Sequence, residues 1–214
     1  QREMKQISNY STLIQEELNK NNIPNYPSNL YDPIRYFLDM KGKKIRPVLT
    51  LLSTELFGGT VEQAKHAALA IEIFHNFTLI HDDIMDEAPI RRGVSTVHEK
   101  WNTNIAILSG DVMFVKAYEQ LSSCPAHVLP ELLKVFNKTA VEVCEGQQRD
   151  MDFESMDDVA AATYIQMIQF KTSVLLGCAM KVGALVGGGS KKDADALYHL
   201  ALWFGPSLQI KAGY

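Results

Sequence analysis

Residues 60–86 read TVEQAKHAALAIEIFHNFTLIHDDIMD, and the recurrence of apolar residues along them predicts one helix over the whole stretch. That is well beyond the ~10–14 residues of an average globular helix and suits a bundle of long helices. Gly58-Gly59 and Pro89 mark its ends. Near its end the segment turns acidic, in His81-Asp82-Asp83-Ile84-Met85-Asp86. On a helix, Asp82 and Asp86 stand at i and i+4 on one face, where two carboxylates repel each other unless a cation sits between them. Oxygen ligands on one helix suit Mg²⁺, which takes one or two carboxylates, keeps several waters and completes its shell with substrate phosphates. Arg91-Arg92-Gly93, a few residues on, would hold those phosphates. An acidic helix end beside a solvated basic turn is the plainer alternative. Against it, Leu79, Ile80, Ile84 and Met85 make the flanks apolar, and carboxylates in a buried segment need partners.

Helical periodicity continues along the chain, with no convincing run of alternating strand residues. Helices are expected near 4–21, 29–39, 43–57, 60–86, 104–121, 126–148, 156–186 and 191–211. Pro24 and Pro27, Gly58-Gly59, Pro89, Pro125 and Gly187-Gly188-Gly189 are the breaks. The expected architecture is all-α, a bundle of long, mostly antiparallel helices around a deep central cavity. Residues 4–211 read as a single domain, and Gln1-Arg2-Glu3 as the remnant of an expression tag.

With 214 residues, 46% of them hydrophobic, the chain can bury a substantial core. A formal charge of -4 leaves no global basic field, which argues against nucleic acid as a partner and makes any basic site local. Cys124, Cys144 and Cys178 are odd in number, far apart and without CxxC spacing. They are expected as buried free thiols in a reducing compartment. The most apolar stretch, 172–186, is too short to span a bilayer and carries Lys181, so no transmembrane segment and a cytoplasmic location are expected.

Three further polar clusters stand out. Gly42-Lys43-Lys44-Ile45-Arg46-Pro47 heads an apolar helix, and a helix N-terminus with added cations is an anion site, although such residues at a turn are commonly just solvated. Gly146-Gln147-Gln148-Arg149-Asp150 is expected to end a long helix. Lys171-Thr172 lies mid-helix between apolar residues, where the lysine either snorkels to water or faces a polar cavity. One acidic metal cluster, several basic groups and long apolar helices together describe a pocket for the diphosphate ester of a hydrocarbon.

The motifs GKKIRP, HNFTLIHDDIMD, RRGVSTVH, GQQRD, the mid-helix KT and SLQIK follow one another in the order found in trans-type isoprenyl diphosphate synthases, which the chain resembles over residues 4–211. The resemblance is to the short-chain, farnesyl or geranylgeranyl, members. It implies a Mg²⁺-dependent prenyltransferase that joins isopentenyl diphosphate head-to-tail, in trans, to an allylic diphosphate, and it implies a homodimer. Asp82 and Asp86 would ligate Mg²⁺, with Asp83 supporting the metal shell. Arg91 would help hold the allylic diphosphate, while Lys43, Arg46, His75 and Arg92 would bind that of isopentenyl diphosphate. Lys171 would contact the allylic leaving group, and Thr172 and Gln209 would turn oxygen dipoles toward the carbocation. Phe77 lies five residues before Asp82, about 7.5 Å along a helix axis, with Thr78 beside it and Phe74 a further turn away. These three are the expected determinants of chain length, favouring a geranylgeranyl product with farnesyl next, although the phenylalanines would also serve as plain core residues.

Where the resemblance implies a second aspartate-rich motif after Ser207-Leu208-Gln209-Ile210-Lys211, this sequence has Ala212-Gly213-Tyr214, so the C-terminal part of the family domain is expected to be absent. A non-catalytic regulatory subunit of a prenyl diphosphate synthase would accommodate that absence, but has no need of the full phosphate-binding set. Glu72-Ile73-Phe74-His75 is an ExxH, the ligand pair of di-iron bundles, without the second copy such sites use. A terpene cyclase would share the aspartates but has no second diphosphate to bind.

Overall fold

The computed structural model describes residues 1–212, with side chains as far as Ser207. Helices α1 (Arg2–Lys20), α2 (Ser28–Leu38), α3 (Ile45–Leu56) and α4 (Val61–Met85) lead into a hairpin of β1 (Ile90–Arg91) and β2 (Val94–Ser95). After it come α5 (Val97–Lys100), α6 (Thr103–Ser122), α7 (Leu129–Glu154), α8 (Ala161–Ile168), a π-helical turn over Gln169–Ser173, α9 (Val174–Val186) and α10 (Lys191–Ala212). The fold is all-α, as the periodicity indicates, and none of the described helices is long and apolar enough to cross a membrane.

Four departures from the expected elements have local causes. The hairpin turns through Arg92 and Gly93, both at positive φ (52° and 81°), the two-residue geometry that reverses a short antiparallel ladder. Strands of two residues are too short to show alternation. Helix α3 begins at Ile45 rather than residue 43, because Lys44 takes a left-handed φ of 54°. The Gly146–Asp150 cluster lies inside α7, which runs on to Glu154. Gly146 acts there by close packing, since a Cβ would fall 2.4 Å from the backbone nitrogen of Lys171. The expected helix over 156–186 starts only at Ala161 and widens into the π turn, where the Thr172 hydroxyl donates to the Ile168 carbonyl at 2.7 Å. Cys124 and Cys178 are buried free thiols, pushed up by burial to about 11 and about 12. Cys144 departs from expectation in being exposed.

The chain forms two compact units, residues 1–48 with 66–123 and residues 49–65 with 124–214. In the first, Ile14, Ile34, Phe37, Phe74, Met113 and Leu121 supply a core from α1, α2, α4 and α6. The Ser109 hydroxyl donates to the Leu30 carbonyl at 2.9 Å, joining α6 to α2. Tyr36 donates to the Ser95 carbonyl at 2.7 Å and fastens the hairpin to α2. Asn102 caps α6 by accepting from the Ile105 N–H at 2.9 Å. At Gly110 a Cβ would meet the His81 ring at 2.4 Å, so the glycine allows α6 to lie against the acidic end of α4.

In the second unit, residues 49–56 of α3 lie against α9 through polar contacts in a dry setting. Thr50 donates to the Ala179 carbonyl at 2.9 Å and Thr54 to that of Gly183 at 2.7 Å, with both threonines fully buried. Such bonds need backbones in near contact, and Gly183 permits this because a Cβ there would stand 2.2 Å from the Thr50 carbonyl oxygen. Gly183→Ala should therefore force the two helices apart and lower stability by about 1–3 kcal/mol. Chemical denaturation checks this, with the expected result a lower midpoint at unchanged slope.

Candidate functional site

The three aspartates do not act as one group. The Asp86 N–H donates to the Asp82 carbonyl at 2.8 Å, so the helical path continues past Met85 and the two residues stand one turn apart. Asp82 is half-buried and Asp86 exposed. Asp83 is buried and clasped by Arg91, whose Nε and Nη2 donate to the two carboxylate oxygens at 2.8 Å each. This planar two-point contact neutralises a carboxylate that burial would otherwise disfavour. Arg91, expected at a diphosphate, has its fork on Asp83.

Asp82 and Asp86 suit a magnesium ion: two accessible carboxylates on one helical turn match its usual protein ligands and leave positions for water and phosphate. Among the described residues no three His, Cys, Asp or Glu side chains gather into a ligand cluster. In the ExxH pair, the carboxylate of Glu72 is engaged by other side chains. It receives Asn76 Nδ2 at 3.0 Å and lies 3.6 Å from Lys44 Nζ, with both charged side chains only 4% exposed.

The other basic residues of the candidate site, Lys43, Arg46, Arg91 and Arg92, belong to the same unit, as does His75. Arg46 Nη1 donates to His75 Nε2 at 3.4 Å, and the guanidinium can only donate, so Nε2 is the accepting, unprotonated nitrogen. Burial, and then the charges of Arg46, Arg92, Arg91 and Lys44, hold His75 well below the ordinary histidine range. Arg92 and Arg46 are each made less basic chiefly by desolvation and by one or more like charges, while Glu72 supports the charged form of both. The Arg92 guanidinium lies over Gly42, 3.2 Å from where a Cβ would be, so the glycine of GKKIRP makes room for the arginine of the hairpin. Lys43 is exposed, whereas Lys44 turns inward.

Below the aspartates, Phe77 and Phe114 stack face to face with centroids 4.7 Å apart and planes 3° apart. Phe74 tilts against both at 5.7 Å, and His81 meets Phe77 edge-on at 4.9 Å. The Thr78 hydroxyl donates to the His75 carbonyl at 2.6 Å. In the second unit, Lys171 pairs with Asp150, a partner that the sequence reading did not provide. Gln147 is buried, and neither end of its carboxamide has a protein partner. Gln209 lies in α10 with its side chain outside the described residues.

Sequence reasoning missed Lys44, Glu72 in its present role, Asn76, Phe114 and Asp150. Glu72 and Asn76 at i and i+4 beside an ExxH were a legible signal for a buried polar pair. No sequence pattern signalled the left-handed turn that brings Lys44 to them.

The neutral state of His75 has a measurable consequence. Its folded pKa lies below the unfolded value near 6.5, so below that pH the unfolded chain binds more protons and stability falls. The loss begins as pH drops through the ordinary histidine value and levels off only below the depressed folded one. Denaturation midpoints between pH 8 and 5 should fall for the parent protein, and His75→Gln should flatten the acid side of the curve.

Known proteins resemble the chain in sequence and fold. The polyprenyl synthetase family profile matches residues 27–212. A geranylgeranyl diphosphate synthase of Methanosarcina mazei is 45% identical over 187 residues, covering 86% of this chain and 57% of the relative. A geranylgeranyl pyrophosphate synthase of Geoglobus acetivorans is 39% identical over 206 residues, 95% of this chain and 65% of the relative. The crystal structure of a geranylgeranyl pyrophosphate synthase superposes with a TM-score of 0.92 at 47% identity, covering 95% of this chain and 62% of that one. The chain thus spans about six-tenths of the length of these relatives. With the fold, the ordered motifs and the family profile in agreement, the chain belongs to the polyprenyl synthetase family.

Proposed function

We propose that the protein condenses isopentenyl diphosphate with an allylic diphosphate, head-to-tail and in trans, to give a short-chain prenyl diphosphate, geranylgeranyl first and farnesyl next. The observation that carries this reading is the presence, in one unit, of an accessible carboxylate pair and a separate set of cations. The first suits a metal-bound diphosphate and the second a diphosphate held without metal. Relatives named geranylgeranyl diphosphate synthase support the same substrates.

Asp82 and Asp86 are the proposed magnesium ligands, and Mg²⁺ held there would supply positive charge for the departing diphosphate. Asp83 acts through Arg91, fixing the guanidinium beside the acidic turn. Arg46, Arg92, Lys43 and neutral His75 are the proposed seat of the isopentenyl diphosphate. His75 keeps Nδ1 as a donor while Nε2 faces Arg46. Lys171, Thr172 and Gln209 keep the roles that the resemblance implies, the lysine for the leaving group and the two oxygens for the carbocation. Buried phenylalanines exclude water, which would otherwise trap the cation. The reading takes residues 4–211 as one prenyl synthase domain in a cytoplasmic homodimer. Ile107, Leu108 and Val115, apolar and 40–60% exposed on α6, support self-association.

The test is incubation with isopentenyl diphosphate, farnesyl diphosphate and magnesium, followed by chromatography of the products. A geranylgeranyl product that disappears with chelator is expected; no condensation with any allylic primer would contradict the reading. Phe77→Ala removes one ring of the Phe77–Phe114 stack and should shift products toward longer chains, whereas an unchanged product would remove Phe77 as the floor.

A further inference from the structure

We propose that the cavity between the α1–α2 loop, the end of α2 and the hairpin is a binding site for an organic phosphate, with Lys41 and Arg92 receiving the phosphate and an apolar base receiving part of the body.

The cavity encloses about 820 Å³, within the usual range of small-molecule sites, and the residues that line it all belong to the first unit. Two neighbouring residues of α2 fix its walls. Arg35 Nη1 donates to the carbonyls of Ile23 and Pro24 at 3.0 and 2.9 Å and so pins the α1–α2 loop, while the Tyr36 hydroxyl holds Ser95 of the hairpin. Gln120 Nε2 donates to Asn21 Oδ1 at 3.0 Å and ties the same loop to α6. A concavity braced by the protein's own hydrogen bonds is preformed, so a ligand entering it does not have to order the walls.

Inside these walls, polar groups are left unused. The side chains of Lys41, Arg92, Asn22 and Asn25 line the cavity and make no hydrogen bond or ion pair among the described residues. Lys20 and Arg35, also in the lining, have acidic partners of their own in Glu17 and Asp32, which leaves Lys41 and Arg92 as the cations open to a ligand. These two stand together, because the Arg92 guanidinium lies over Gly42, the residue next to Lys41. Leu18 and Leu38, 2% and 6% exposed, give the cavity an apolar base. A guanidinium and an ammonium suit a phosphate, carboxamides suit the polar edges of what it is attached to, and the leucines suit an apolar portion. The plainer account is a solvated patch of exposed side chains. A patch of that kind has no need of a braced concavity with buried leucines beneath it. The cavity is also separate from the proposed seat of isopentenyl diphosphate, since Lys43, Arg46 and His75 lie outside its lining, and Arg92 stands at the border of the two.

Calorimetry in chelator, with ADP and geranyl monophosphate as separate probes, tests the site. One probe joins phosphate to an aromatic, polar body and the other joins it to a hydrocarbon, so the probe that binds identifies the kind of body accepted. At least one should bind the parent. Lys41→Met should then weaken that binding about tenfold or more, the size of a lost hydrogen bond between charged groups. Lys43→Met, on the far side of Gly42 and outside the lining, should change it by less than about threefold. Both lysines are exposed, so neither variant endangers the fold. A parent that binds neither probe would overturn the inference. So would a loss in Lys41→Met no greater than that in Lys43→Met, because the probe would then occupy the seat of the isopentenyl diphosphate or no defined site.

Discussion

Like charges brought together on one side of a small unit must be compensated, and the arrangement around α4 follows from how that is done. The charges of Lys44, Arg46, Arg91 and Arg92 all act on His75, and two acids on the same helix, Glu72 and Asp83, are buried in the same unit. Asp83 holds Arg91 in a two-point contact. Glu72 sits eleven residues earlier, about three turns, and takes Lys44 and Asn76. A histidine set among these cations stays neutral and accepts a hydrogen bond from Arg46. Asp82, half-buried, and Asp86, exposed, stand one turn apart at the helix end.

One helix therefore carries three kinds of chemistry on different faces. Successive residues rotate by about 100°, so adjacent aspartates point apart while Asp82 and Asp86 converge. A turn and a half before them, the same helix presents Phe77 to Phe114, and Phe74 closes the cluster. Polar and apolar groups that lie within a few residues in sequence are thus sorted by helical phase. The glycines act where another element must come close. Gly110 admits His81, Gly42 admits Arg92 and Gly146 admits the π turn.

Much of this was legible in the sequence. Periodicity and the Gly and Pro breaks located every long helix, and the i,i+4 aspartates, the basic GKKIRP and RRG clusters and Phe77 all lie in the candidate site or beside it. What escaped depended on backbone states that composition does not mark. Arg92 in a left-handed turn conceals a hairpin that Asn-Gly would have announced. Lys44 takes a left-handed φ and is buried, whereas its neighbour Lys43 is exposed, a difference that the sequence of two adjacent lysines does not state. GQQRD was expected to end a helix, while its glycine is constrained by the backbone of a segment over twenty residues away. Such contacts are tertiary, and local pattern cannot state them.

In the function proposed above, one diphosphate is bound through a metal and the other through cations alone. Calorimetric titration of isopentenyl diphosphate and of farnesyl diphosphate, each with magnesium and with chelator, tests this directly. Isopentenyl diphosphate should bind equally well in both conditions, and farnesyl diphosphate only with magnesium. Loss of isopentenyl diphosphate binding in chelator would contradict the division of labour between the aspartates and the basic cluster.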